Sequence, residues 1–283
     1  MAIELRQARA EDVPELGRIC YEAFRDIHDR HGFPTDFPSV EFAQRVIGGQ
    51  MQDEQFHSIA AFEDGVPKGS NFIGLHDEVG GIGPISVDLA AQGQGIGRRL
   101  MEDVIAAARA QGHEMIRLVQ DSFNMQSLAL YASLGFDTKE PMAYLALSNA
   151  GRVDPALRPA TANDLGSMDE LCRAVYRVSR TNECATQLEG GFPAFVLDRD
   201  GIRGYLIGTI AGHGVAESDD DMLALLAGLG ASAPAAHSFV PLRSGELYRR
   251  ALAAGHRNEK VMNLMALGPY EEPQGTYCPS VRF

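Results

Sequence analysis

Positive charge is scarce in this sequence. Its 283 residues hold 25 Lys and Arg against 38 Asp and Glu, a formal net charge of −13. A nucleic-acid partner would want a basic face, so none is expected. The deficit suits a cationic small molecule or a basic peptide, or simply keeps the chain in solution. Long apolar runs are also missing. Without about 18 consecutive apolar residues a helix cannot span a bilayer, and no membrane partner is expected. The first residues, Met-Ala-Ile-Glu-Leu-Arg, do not show the charged-then-apolar pattern of a secretory leader. Cysteine is sparse: Cys20, Cys172, Cys184 and Cys278 form no C-x-x-C pair and have no companion histidine spacing. They are expected to be reduced packing residues of a cytoplasmic protein, with no metal bound.

The chain is 45% hydrophobic and long enough for two domains. Its most informative stretch begins with a short apolar run, Ile85 to Leu89, that predicts a strand. A glycine-rich turn follows, Gln92-Gly-Gln-Gly-Ile-Gly97. Leu100, Met101, Val104, Ile105 and Ala108 then recur at helical spacing. Strand, glycine turn and helix place unpaired backbone amides at a helix N-terminus, where an anion is favoured. Arg98 and Arg99 add positive charge at the same end. As a dinucleotide fingerprint the turn fails, because Gly93, Gly95 and Gly97 give G-x-G-x-G. As a P-loop it lacks the Gly-Lys-Ser/Thr ending.

A second stretch follows the strand Met115 to Val119: Asn124-Met-Gln-Ser-Leu-Ala-Leu-Tyr131-Ala-Ser-Leu-Gly135-Phe136. Asn124 and Tyr131 are seven residues apart and share one helical face. The two stretches together resemble the GNAT superfamily of N-acetyltransferases. That family carries Gln/Arg-x-x-Gly-x-Gly/Ala after a strand, then Asn-x-x-Ala-x-x-x-Tyr-x-x-x-Gly-Phe. Ser127 stands here in place of the alanine. The resemblance covers residues 1 to about 148.

The resemblance implies acetyl-CoA as cosubstrate and direct acetyl transfer, within a ternary complex, to a primary amine on a small molecule or peptide. Backbone at Ile85, Ser86 and Val87 would pair with the pantetheine arm. Amides of Gln92, Gly93, Gln94, Gly95, Ile96, Gly97, Arg98 and Arg99 would hold the pyrophosphate. Asn124 would orient the arm, or else cap its helix. Tyr131 would be the general acid, since a phenol near its ordinary pKa of about 10 can protonate a departing thiolate. No motif marks the general base. His76, Asp77, Glu78, Asp88 and Asp121 are candidates. The segment His28 to Ser39, rich in proline and rings (His28, His31, Phe33, Phe37), predicts a loop bordering the acceptor. A non-catalytic CoA-binding sensor or scaffold is the alternative function, and a homodimer is an open arrangement.

The remaining chain echoes the first part. Leu157 to Asp164 and Cys172 repeat Leu5 to Asp12 and Cys20 at an offset of 152. Asp200-Gly201 repeats Asp64-Gly65 at 136, and Gly255 and Met262 repeat Gly135 and Met142 at 120. An offset that falls in ordered steps indicates an internal repeat. The expected fold is therefore α/β (α+β): two tandem GNAT-like domains, each a mixed, mostly antiparallel sheet flanked by helices. Residues 1–148 would form the acetyl-CoA domain and 154–283 a degenerate copy, joined by a linker from Ser148 to Pro155. In the copy, Glu217-Ser-Asp-Asp-Asp221 stands where a diphosphate would sit, and Ala251 stands at the tyrosine position.

Overall fold

The computed structural model describes residues 3–149, 153–208, 211–233 and 235–282. They divide into two compact units. The first comprises 3–118, 123–136 and Arg282, and the second the remainder.

In the first unit, β1 (Ile3–Gln7) leads through one 3-10 turn into α1 (Val13–His31). Asp12 fixes this junction, accepting from the Arg9 amide at 2.8 Å and from both Arg6 guanidinium nitrogens at 2.8 and 2.9 Å. Leu16, Ile19 and Cys20 line the buried face of α1. The helix stops at Gly32, whose φ of +74° closes a left-handed cap. It therefore reaches farther than the sequence suggests. His28 and His31, expected in a loop, lie on its last turn. After α2 (Val40–Gln52), strands β2 (Phe56–Glu63) and β3 (Val66–Gly74) form a hairpin through Asp64 and Gly65, with φ of +51° and +80°. That is the turn the Asp-Gly pair predicts. The strand β4 (Val79–Ile82) has no sequence signal, because Val-Gly-Gly-Ile reads as a loop.

The strand expected over Ile85 to Leu89 is only β5 (Ser86–Val87). Asp88 ends it by accepting from the Ala90 amide at 2.9 Å, which turns Leu89–Ala91 into a 3-10 helix. Then follow α3 (Ile96–Ala110), β6 (Met115–Asp121) and α4 (Met125–Ser133). The sheet runs β1-β2-β3-β4-β6, with β6 contributing Met115 to Leu118 to this unit. Only the β4–β6 pairing is parallel. The helices cover a core that includes Leu16, Cys20, Ala43, Ile47, Phe62 and Phe72.

The second unit takes up β7 (Asp137–Ala146) and then repeats the element order with one strand fewer before its third helix. This order is β8 (Leu157–Pro159), α5 (Leu165–Val175), α6 (Thr181–Glu189), β9 (Ala194–Asp198), β10 (Ile202–Ile207), β11 (Gly214–Ala216), α7 (Asp219–Ser232), β12 (His237–Pro241), α8 (Gly245–Ala253) and β13 (Arg257–Leu267). A short β14 (Thr276–Cys278) follows. One antiparallel sheet is ordered β14-β11-β10-β9-β8, and β7 lies between β13 and β12. The expected linker includes residues 150–152, which lie outside the described residues.

The repeat extends to individual contacts. Arg158 grips Asp164 at 2.8 and 2.9 Å, as Arg6 grips Asp12. Asp200 and Gly201 have φ of +55° and +122°, matching the earlier Asp-Gly turn in sign. Gly135 and Gly255 cap their helices at +94° and +90°. In the β7–β13 ladder, Met142 sits opposite Met262, its counterpart at the offset of 120. Ser122 donates to the Val261 carbonyl at 3.1 Å, and Leu242 to the Pro141 carbonyl at 2.9 Å. These two bonds exchange under the same offset, so the ladder carries a local pseudo-twofold.

Candidate functional site

The β4–β6 ladder runs from Val79 opposite Met115 to Ile82 opposite Leu118 and ends there. Past Gly83 and Pro84 the chain leaves β6 and pairs with β3 alone, through Gly69 opposite Val87 and Ser70 opposite Ser86. Gly69 permits this approach, since a Cβ there would meet the Ser86 carbonyl oxygen at 2.4 Å. Among the described strands, the other edge of β5 joins no ladder. Backbone at Ile85, Ser86 and Val87 thus has an edge available for an extended ligand. Ile85 itself precedes the strand.

The turn after β5 is tied to it. Gln92 donates its Nε2 to the Val87 carbonyl at 3.2 Å, and Gln94 donates to Ala90 at 3.4 Å. Gly93 and Gly95 have φ of +78° and +81°, and nothing lies within 4 Å of where a Cβ would stand. The backbone here is bent by glycine and open on its outer side. Gly95 is the N-cap of α3, with no side-chain cap and no acid in the first turn. The first intrahelical bond runs from the Arg99 amide to Gly95 at 3.2 Å. The amides of Ile96, Gly97 and Arg98 therefore face outward without an intrahelical acceptor, at the positive end of the helix dipole.

The two arginines serve partly in other ways than expected. Arg98 donates to Ser133 Oγ at 2.6 Å and Arg99 to the Ile3 carbonyl at 2.8 Å. Their guanidinium groups brace α4 and β1, and their backbone amides belong to the turn. Gly97 marks where α3, β5 and α4 meet: a Cβ there would lie 3.5 Å from Leu130 and 3.9 Å from Val87. Tyr131 follows Leu130 and is buried, its ring 6.2 Å from that of Phe136. The Asn124 side-chain oxygen accepts from the Ser127 amide at 3.1 Å, so Asn124 caps α4. Ser127, the departure from the family pattern, turns its hydroxyl back to the Asn124 carbonyl at 3.0 Å.

The base candidates are mostly occupied elsewhere. Asp88 caps the 3-10 turn and lies 3.7 Å from Arg18. His76 bonds Asp53 at 2.9 Å. Asp121, in the second unit, pairs with Lys260 at 2.8 Å. Asp77 is buried and Glu78 exposed. Burial pushes the Cys20 thiol up to about 12, so it is no nucleophile.

The ring-bearing segment does assemble. Phe33 stacks on Phe123 with centroids 4.5 Å apart, His31 and His28 lie 5.2 and 5.3 Å from the same ring, and Phe24 packs on Phe37. Fully buried His28 bonds the Phe24 carbonyl through Nδ1 at 2.7 Å and places Nε2 3.5 Å from Asp36. Phe123, one residue before Asn124, escaped sequence analysis because an isolated aromatic after a strand reads as packing.

The corresponding helix start in the second unit is built oppositely. Ser218 caps α7, accepting from the Asp221 amide at 3.2 Å, and three aspartates fill the first turn. Each acid has a partner: Arg203 for Glu217 at 2.8 Å, Thr276 for Asp219 at 2.7 Å, Arg250 for Asp220, and Arg199 for Asp221 at 2.8 Å. Ala251 is buried at the tyrosine position.

Comparison with known proteins agrees with this architecture. No curated protein sequence matches the chain. A solved structure of a candidate acetyltransferase from Pyrococcus horikoshii superposes with a TM-score of 0.78 at 18% identity, covering 97% of this chain and 92% of its own. GCN5-related N-acetyltransferases from Anabaena variabilis and Kribbella flavida superpose with TM-scores of 0.59 and 0.57 at 13% and 16% identity. Each covers 94% of this chain, with 72% and 70% of its own length. These likenesses establish the fold. The family model for acetyltransferases of the GNAT family matches residues 17–136, the segment that holds the turn, α3 and α4. The chain thus carries, over residues 17–136, a domain of the GNAT acetyltransferase family.

Proposed function

We propose that this protein is an N-acetyltransferase that moves the acetyl group of acetyl-CoA directly to a primary amine, with residues 1–148 as the acetyl-CoA domain and 154–283 as a degenerate copy. One contrast carries the reading. The α3 N-terminus is uncapped, acid-free and opened by two positive-φ glycines, whereas the α7 N-terminus is capped by Ser218 and lined with aspartates. A diphosphate gains hydrogen bonds and a favourable dipole at α3 and meets like charge at α7.

In this reading the pantetheine arm adds to the vacant edge of β5 through the backbone of Ile85 to Val87. An amide of that edge polarises the thioester carbonyl, and the donors from Gln92 to Arg99 hold the pyrophosphate. The neutral amine attacks the carbonyl carbon, the C–N bond forms, and the C–S bond breaks as the tetrahedral intermediate collapses. Tyr131 supplies the proton that lets the thiol leave. Asn124 acts by holding the first turn of α4, on which Tyr131 is carried. Cationic amines suit the chain's net charge of −13.

Calorimetric titration with acetyl-CoA tests this directly. One site per chain is expected. Two sites would refute the account of the second half, and no binding would refute the enzyme.

A further inference from the structure

We propose that the second unit is a receptor for an extended peptide strand, and that the chain's own tail, residues 274–281, is the ligand it holds. The tail lies along the edge that corresponds to the vacant edge of β5. In the first unit the parallel ladder ends with Ile82 opposite Leu118. Ser238 stands 120 residues after Leu118, the offset of the repeat, and forms a parallel bridge with Gly212. Past that bridge β11 pairs with β10 through Gly214, Val215 and Ala216, as β5 pairs with β3. The other edge of β11 is taken. Thr276, Tyr277 and Cys278 pair with it antiparallel, opposite Ala216, Val215 and Gly214. β14 also packs on β12, with the Cys278 thiol against the Ser238 hydroxyl, and so fills the opening between β11 and β12. The likeness of this opening to a pantetheine seat rests on the proposed acetyl-CoA reading; the pairing itself does not.

β14 lies outside the repeat. Its predecessor β13, the counterpart of β7, is the last element that echoes the first unit. The strand is therefore an addition to a pattern already complete, and its contacts follow the course of a bound ligand. At its start, Gly275 takes φ of +147° and the Gln274 amide donates to the Val175 carbonyl at 2.7 Å. The Thr276 hydroxyl then donates to Asp219 at the head of α7, at 2.7 Å. Residues 274–281 carry no formal charge, so a neutral donor meets the aspartates that would repel a diphosphate. In the middle, the buried Tyr277 ring lies 5.6 Å from that of Tyr176, with the Arg243 guanidinium 5.7 Å from its centre. At the far end, buried Arg180, in the connection from α5 to α6, donates to the Ser280 hydroxyl at 3.1 Å.

Backbone pairing along an exposed edge, with side-chain seats for alternate residues, is the mode by which sheets take up peptide strands. The matching ligand class is an uncharged extended segment with a central aromatic ring and a hydroxyl at each end. The tether from β13, residues 268–275, has no regular structure and is mostly exposed. The tail is thus joined to the body by a surface loop and held in its seat by its own contacts.

The test keeps the full chain. A protease site is inserted between Glu271 and Glu272, both exposed, and the folded protein is cut there. The cut tail should stay with the body through a sizing column. It should then exchange within a day with fluorescein-labelled synthetic peptide of residues 272–283, read as a rise in anisotropy that excess unlabelled peptide reverses. Peptide carrying Tyr277→Pro, which cannot extend through a ladder, should bind about tenfold more weakly or worse. A tail that is lost on the column and does not rebind, or one that never exchanges, would overturn the inference; the second result would make β14 an integral strand. Equal binding of the Tyr277→Pro peptide would overturn it too. So would displacement of the labelled peptide by acetyl-CoA, which would make the opening a cofactor seat. Failure of the uncut chain to bind acetyl-CoA would instead overturn the acetyltransferase reading itself.

Discussion

Single residues carry the distinction between the two halves. Gly95 is the sharpest case, because its φ of +81° and its open outer side serve the turn in two ways. A side chain there does not collide with anything; it strains the backbone. The left-handed region costs an L-residue about 1–2 kcal/mol. Gly95→Ala should therefore weaken acetyl-CoA binding about tenfold while the far-ultraviolet circular dichroism stays unchanged. An unaltered Kd would mean that the turn does not hold the cofactor. This glycine was legible in the sequence, since three alternating glycines between an apolar run and a helical period have few other uses. His28 was legible only as a ring in a crowded segment. Its place on α1 depends on where Gly32 ends the helix, and nothing in the spacing of Asp29, Arg30 and His31 reveals that stop. Phe123 was not legible at all, because its meaning comes from Phe33, ninety residues earlier in the chain.

At the scale of elements, helices were easier to read than strands. The apolar period of α3 needs no tertiary partner to be seen, whereas β4 is Val-Gly-Gly-Ile and gains its identity only from the ladder with β6. The strand-to-helix entry is the best-conserved device between the halves: Arg6–Asp12 leads into α1, and Arg158–Asp164 leads into α5. The second is the stronger test of what it contributes. Hydrogen bonds from Arg158, supported by the Thr161 amide and hydroxyl, outweigh burial and hold the Asp164 carboxyl at about 2, below its ordinary 3.8. A depressed carboxylate adds stability above its unfolded pKa, and that stability is lost as pH falls through the folded one. Asp164→Asn should thus lower Tm at every pH above about 4, and the gap to wild type should close as pH falls toward 2. Calorimetric scans across that range check it. A gap that persists undiminished at pH 2 would show that the device acts through packing, not charge.

For the molecule as a whole, chain order and contact order differ, and sequence displays only the first. The segment Ser148 to Pro155 has the composition of a linker, so residues 1–148 look separable. Yet β7 has strands from later in the chain on both edges, β12 along one and β13 along the other, over residues 237–266. A fragment ending at 148 would carry a ten-residue strand with neither neighbour. Two bare edges invite pairing with other copies. Ala143 and Leu145, fully buried in the whole chain, would lose the cover of Leu226, Val240 and Leu247 from the same cluster. The fragment 1–148 should accordingly elute as large aggregates from a sizing column, whereas a fragment ending at 136, before β7 begins, should aggregate far less. If 1–148 proves monomeric and binds acetyl-CoA with the affinity of the full chain, β7 does not depend on the second half. The repeat would then be two domains in contact order as well as in chain order.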